Sequence, residues 1–208
     1  MRRTLAIAFL LIVNFTFSAK FYKGTILLVD GNTINGYIEL PEYPDDKKLK
    51  FRNEEKGKTE KIEIDLVTSF EILNDKKVTI KYLTIYLAEP KPFTKSEHKF
   101  DNHKSWVKVV KEGKICLYTA SAVYSPGSGT GGFTSSYIKK ENDKYAYFIA
   151  DGNSGFNINM NGFSVLKNYL GSIFNKDCPK LVDLITKEDI NKKGYEYIIE
   201  LYEKNCGK

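Results

Sequence analysis

Both histidines of the chain stand in one heptapeptide, Glu97-His98-Lys99-Phe100-Asp101-Asn102-His103, beside two carboxylates. Imidazole nitrogens and a carboxylate are the ligands that hold a zinc-like ion with a water in its open position. His98, Asp101 and His103 are therefore the candidate metal ligands. The matching chemistry is a divalent-metal-binding protein or a metal-assisted hydrolase using residues 97–103. Two features weigh against it. Four residues between the histidines is not an established ligand spacing, and Lys95, Lys99 and Lys104 would repel a cation. The residue types alone predict a solvated surface loop over residues 91–105.

Other motifs fail on inspection. Gly127-Ser128-Gly129-Thr130-Gly131-Gly132 matches a dinucleotide fingerprint in letters, but such a turn must feed a helix whose N-terminus meets the pyrophosphate. Here the following residues read as a strand, so a flexible connection is expected. No phosphate loop ends in Gly-Lys-Ser/Thr. A nucleophile elbow would need glycine on both sides of its serine, yet Pro126 precedes Ser128 and Phe156 follows Ser154. Asp151-Gly152-Asn153-Ser154-Gly155 opens like a calcium loop, lacks glycine at the sixth position, and has Gly162 where the bidentate Glu belongs. It reads as a tight turn. No cofactor and no catalytic set is expected from these patterns.

Aromatic residues offer a different chemistry. Fourteen tyrosines include the near neighbours Tyr82 with Tyr86, Tyr118 with Tyr124, and Tyr145 with Tyr147. In a strand, Tyr145 and Tyr147 share one face while Ala146 and Phe148 take the other. An exposed pair of that kind makes a ligand platform, so Tyr145 and Tyr147 are the candidate binding residues. The competing expectation is a half-buried structural role, because tyrosine is favoured in strands generally.

Charge narrows the partners. The formal net charge is +6, but the only arginines are Arg2, Arg3 and Arg52. Arginine is the preferred fork for phosphates and base edges, so sequence-specific nucleic-acid binding is excluded. Residues 76–114 hold ten lysines against Glu89, Glu97, Asp101 and Glu112, a net of +6. Such a face suits an envelope polysaccharide, an anionic lipid surface or another envelope protein.

The N-terminus addresses the compartment. Arg2 and Arg3 precede an apolar run from Leu5 that ends before Lys20, which is the pattern of a secretory signal peptide. A spanning helix needs about 20 apolar residues, and no later stretch reaches that length. Cleavage after Ser18 or Ala19 leaves one domain, residues 20–208, without a transmembrane segment. Export permits disulfides. Of the three cysteines, Cys178 and Cys206 both fall in the helical C-terminal part and Cys116 in a strand-like run. A 178–206 pairing is the favoured one of the three that sequence leaves open.

The elements that must position these residues read in two periods. Ile34, Gly36, Ile38 and Leu40 alternate with polar residues after an Asp30-Gly31-Asn32 turn, a hairpin with one buried face. Similar alternation covers residues 48–52, 62–72, 106–110, 115–124, 134–139 and 145–150. Within residues 78–87 it switches phase, from Val78, Ile80 and Tyr82 to Leu83, Ile85 and Leu87, which predicts a bulge or a change of sheet. Beyond residue 158 the period becomes helical, with Phe163, Leu166, Leu170 and Ile173 on one face. Asp177 before Pro179, and Thr186 before Asp189, read as helix caps. The fold class is α+β: a curved antiparallel sheet, partial barrel or sandwich, in residues 20–158, with a helical segment in 159–208 packed on it.

Short motifs along the chain carry a resemblance: Gly24-Thr25-Ile26 with Asp30-Gly31, Gly36-Tyr37-Ile38, Lys111-Glu112-Gly113-Lys114-Ile115 with Leu117-Tyr118, Asp177-Cys178-Pro179 with Leu181, and Tyr202 to Cys206. In these the chain resembles a family of uncharacterised exported envelope proteins of Bacteroidetes-type bacteria. The resemblance implies an envelope location, periplasmic or extracellular, and a C-terminal cysteine pair; it brings no activity. The expectation is an exported, non-catalytic binding or structural module, with the metal reading as its alternative.

Overall fold

Alternating side chains become strands when each face has a core to meet, and the described residues supply three such cores. The computed structural model describes residues 19–122, 133–152 and 160–207. The signal-peptide pattern, the Gly127–Gly132 segment and most of the calcium-like segment lie outside them. A first hairpin joins β1 (Phe21–Leu28) to β2 (Thr33–Glu39). Its turn is held by Gly31 at φ 86° and by the Asp30 carboxylate, which accepts from the Asn32 amide at 2.9 Å. Next come β3 (Lys48–Arg52), β4 (Glu60–Glu63), a 3-10 turn at Ile64–Leu66, β5 (Val67–Leu73) and β6 (Thr79–Pro90). The rest of the sheet is β7 (His98–Lys111), β8 (Ile115–Ser121), β9 (Thr134–Lys140) and β10 (Tyr145–Asp151).

These ten strands form one sheet in the order β10-β9-β8-β7-β6-β5-β1-β2-β3-β4. One pairing departs from the antiparallel expectation. Strand β10 returns beside β6 in parallel, with Tyr145, Ala146 and Tyr147 opposite Tyr86, Leu87 and Ala88. That contact closes β6 to β10 into a five-strand barrel, and β5-β1-β2-β3-β4 continue from it as a curled sheet.

Strand β6 belongs to both parts, which explains its phase switch. Residues 79–83 pair with β5, and residues 86–88 with β10. Ile80 and Tyr82 face the core of the curled sheet, with Ile26, Ile38, Leu49, Phe51, Phe70, Ile72 and Trp106. Leu83, Ile85 and Leu87 face the barrel interior, with Val107, Tyr118, Tyr137, Ala146 and Phe148. The neighbours Trp106 and Val107 on β7 are divided between the two cores in the same way. Residues 43–46 close the curled sheet: Trp106 donates from its amide to Pro44 O at 2.8 Å and from Nε1 to Asp46 O at 2.7 Å. Paired glycines permit the curl. A Cβ on Gly24 would collide with Glu71 O, and one on Gly36 with Arg52 O.

The third core lies outside the barrel. Helices α1 (Met160–Phe174), α2 (Lys180–Leu184), α3 (Lys187–Lys193) and α4 (Glu196–Asn205) pack on it. Leu166, Leu170, Phe174, Leu181 and Ile198 meet Ile115 and Leu117 of β8, Ile138 of β9 and Ile149 of β10. Thr186 caps α3 as expected, its side chain accepting from the Asp189 amide at 3.1 Å. Asp177 does not cap α2. Pro179 precedes that helix without a side-chain cap, and Asp177 instead takes the Lys140 ammonium. Cys178 and Cys206 stand at disulfide distance, Cα atoms 5.8 Å apart, tying α2 to the end of α4.

Residues 91–105 are not a loop throughout: the structure continues β7 back to His98. Backbone pairing with β6 supplies the hydrogen bonds, so a polar outer face is no obstacle. The register also slips there, from Tyr86 opposite Lys104 to Ala88 opposite Phe100, and the extra residues of β7 break the alternation that would have marked a strand.

Candidate functional site

The parallel closure lays side chains out in rows across β10, β6 and β7. Tyr145, Tyr86 and Lys104 form one row, and Tyr147, Ala88 and Phe100 the next. His98 follows beside Pro90. Ala88 is 0% exposed, and its single methyl leaves the centre of the patch open for rings from both sides. Phe100 meets Tyr145 with centroids 4.9 Å apart and Tyr147 at 6.3 Å, while Tyr86 meets Tyr145 at 5.9 Å. All three pairs are edge-to-face. Contacts of this kind contribute about 0.5–1.5 kcal/mol each beyond area burial. Phe100 remains 54% exposed and the tyrosines are half-buried, so the set is an outward platform. Lys144 sets its ammonium 4.8 Å from the Tyr86 centroid and 5.1 Å from that of Tyr145, and keeps a cation at the rim.

His98 buttresses this platform. Its ring lies 5.3 Å from Tyr147 and 5.0 Å from Tyr169 of α1, and Nε2–H donates to Phe148 O at 3.0 Å. Burial lowers its pKa, with the bond to Phe148 opposing, which favours the neutral ring. The structure does not gather the heptapeptide into a ligand cluster: no group of three or more His, Cys, Asp or Glu suited to a metal occurs among the described residues. Asp101 and His103 lie in the register slip, with His103 Nδ1 3.4 Å from Asn102 Oδ1.

Sequence reasoning named Tyr145 and Tyr147 as candidates but not Tyr86, Phe100 or Lys144, which the structure places beside them. The available signal was the spacing of His98 and Phe100, two residues apart in a polar stretch. It also missed a polar group inside the end of the barrel. Tyr137 Oη donates to Glu89 Oε1 at 2.8 Å, and Ser135 Oγ to Asp151 Oδ1 at 2.7 Å. Burial raises the Glu89 carboxyl; the Tyr137 bond partly offsets this, and nearby Asp101 and Asp151 add to it. Burial likewise pushes the Tyr137 phenol far up, so Tyr137 keeps its proton and donates it in the hydrogen bond to Glu89.

Three of the ten lysines of residues 76–114 are held in ion pairs. Lys81 pairs with Glu112 at 2.9 Å, Lys91 with Glu97 at 2.8 Å and Lys111 with Glu200 of α4 at 2.6 Å. No helix among the described residues is long and apolar enough to cross a membrane. The chain matches no protein-family model, no curated protein and no solved structure. Function must therefore be argued from the geometry of the chain itself.

Proposed function

We propose that this chain is an exported, envelope-associated, non-catalytic binding module that holds an acidic polysaccharide on the platform of Tyr86, Phe100, Tyr145 and Tyr147. The observation that carries this reading is the outward ring set around Ala88 with Lys144 at its rim. Flat aromatic rings take the apolar C–H faces of sugars, and ammonium groups at the edge take their carboxylates. Rings already packed against one another lose little freedom when a ligand arrives, which favours binding over a mobile surface. The signal-peptide pattern and the resemblance to exported envelope proteins support the location, and the Cys178–Cys206 pair fits an oxidising compartment.

Titration calorimetry with a polygalacturonate oligosaccharide tests the proposal. Tyr145→Ala and Tyr147→Ala should each weaken binding about tenfold, the value of one lost stacking surface. Lys144→Ala should flatten the salt dependence. Equal affinity in wild type and the double tyrosine variant would contradict the platform, and turnover of the polymer would contradict its non-catalytic character.

A further inference from the structure

Phe93 carries two penalties at once. It lies in the turn between β6 and β7 with φ 64°, in the left-handed region where the Cβ of a bulky residue is crowded. Its side chain is 108% exposed, without cover from any neighbour. A turn needing only to reverse the chain would take glycine or asparagine at that angle. Strain of this sort survives where the surroundings over-determine it, and it clusters at functional positions.

The surroundings here do impose it. The Lys91 amide donates to Glu97 O at 2.9 Å, and the Lys91 ammonium pairs with Glu97 at 2.8 Å. Thr94 donates to Lys91 O from its amide at 3.3 Å and from Oγ1 at 2.9 Å. Pro92 further restricts the approach to the tip. The ring is thus presented on a stapled turn. Lys91, Lys95 and Lys99 flank it, and Glu97 is the single acid in residues 91–99.

We propose that the β6–β7 turn is a membrane-contact finger. Phe93 enters the boundary between headgroups and acyl chains of an anionic bilayer, and Lys95 and Lys99 meet the lipid phosphates. An apolar tip with cationic flanks gains from both burial and electrostatic attraction at such a surface. The finger is separate from the ring platform, although the same hairpin carries Phe100.

Co-sedimentation with vesicles tests this, using the protein as the host processes it. Wild type and variants differ only at the turn, so any contribution from the N-terminal apolar segment cancels. Wild type should bind vesicles containing phosphatidylglycerol and bind pure phosphatidylcholine more weakly. Phe93→Gly should lose about tenfold or more of that binding, from the loss of one buried aromatic side chain. Its melting temperature should hold or rise, because glycine relaxes the left-handed angle. Lys95→Glu should weaken binding to the anionic vesicles alone. Unchanged vesicle binding in Phe93→Gly overturns the proposal. So does a fall in its melting temperature, since the ring would then be holding the fold.

Discussion

Glu89 and His98 are near neighbours in the sheet, and burial acts on both in opposite directions. On Glu89 it favours the protonated carboxyl; Tyr137 donates to the charged form and opposes it, while Asp101 and Asp151 reinforce it. The folded state therefore holds this proton to higher pH than the unfolded chain does. Stability should fall as pH rises from the ordinary carboxylate range through the raised folded value. His98 behaves in the reverse sense. Its lowered folded pKa means that its contribution is present above the ordinary histidine value and is lost as pH falls. Because the two slopes oppose each other in mildly acidic solution, a wild-type melt does not separate them, whereas Glu89→Gln does. Thermal melts from acid to neutral pH should show the variant gaining on wild type as pH climbs above the carboxylate range. A constant gap across that series would mean that Glu89 titrates normally. None of this was legible in the sequence, since Glu89, Tyr137 and Asp151 meet only after the barrel closes.

At the scale of elements, the hairpin of β1 and β2 was readable because one local turn and one alternating face specify it. The phase switch in residues 78–87 was readable too, and its cause is now physical: β6 exchanges its neighbour and its core between Leu83 and Tyr86. Residues 98–105 were not readable as strand, because the slip around Asp101–His103 breaks the period. Asp177 misled for another reason, since its carboxylate is drawn to Lys140 on β9 rather than to the start of α2. Short α2 has no side-chain cap and depends on its packed Leu181 and on the cysteine link to α4. The bridge closes a ring with a separation of 28 residues. In the chain-entropy account that link is worth about 3–4 kcal/mol. Cys206→Ser should lower unfolding free energy by about that amount in denaturant titration, with the β-sheet circular-dichroism signal kept below the transition. A loss under about 1 kcal/mol would show that the unfolded chain is not constrained as that account requires.

The architecture of the whole molecule rests on one long-range contact. Closing the barrel brings residues 86–88 beside 145–147 in parallel, and no local pattern encodes a pairing between segments so far apart. Alternation alone therefore left barrel and sandwich undecided. The same closure builds the platform: Tyr145 and Tyr147 could be read as sharing a face, but Tyr86 and Phe100 join them only across the seam and its neighbour. The curled sheet carries a separate trough of about 490 Å³ between Lys23, Asn35, Tyr37 and Glu71. A ligand that stacks on rings should prefer the seam. The most direct measurement is a nuclear magnetic resonance titration with a polygalacturonate oligosaccharide. The account predicts that the largest shifts fall on Tyr86, Phe100, Lys144, Tyr145 and Tyr147, saturating together. Shifts centred on the curled-sheet trough or the barrel end, or no shifts at all, would contradict it.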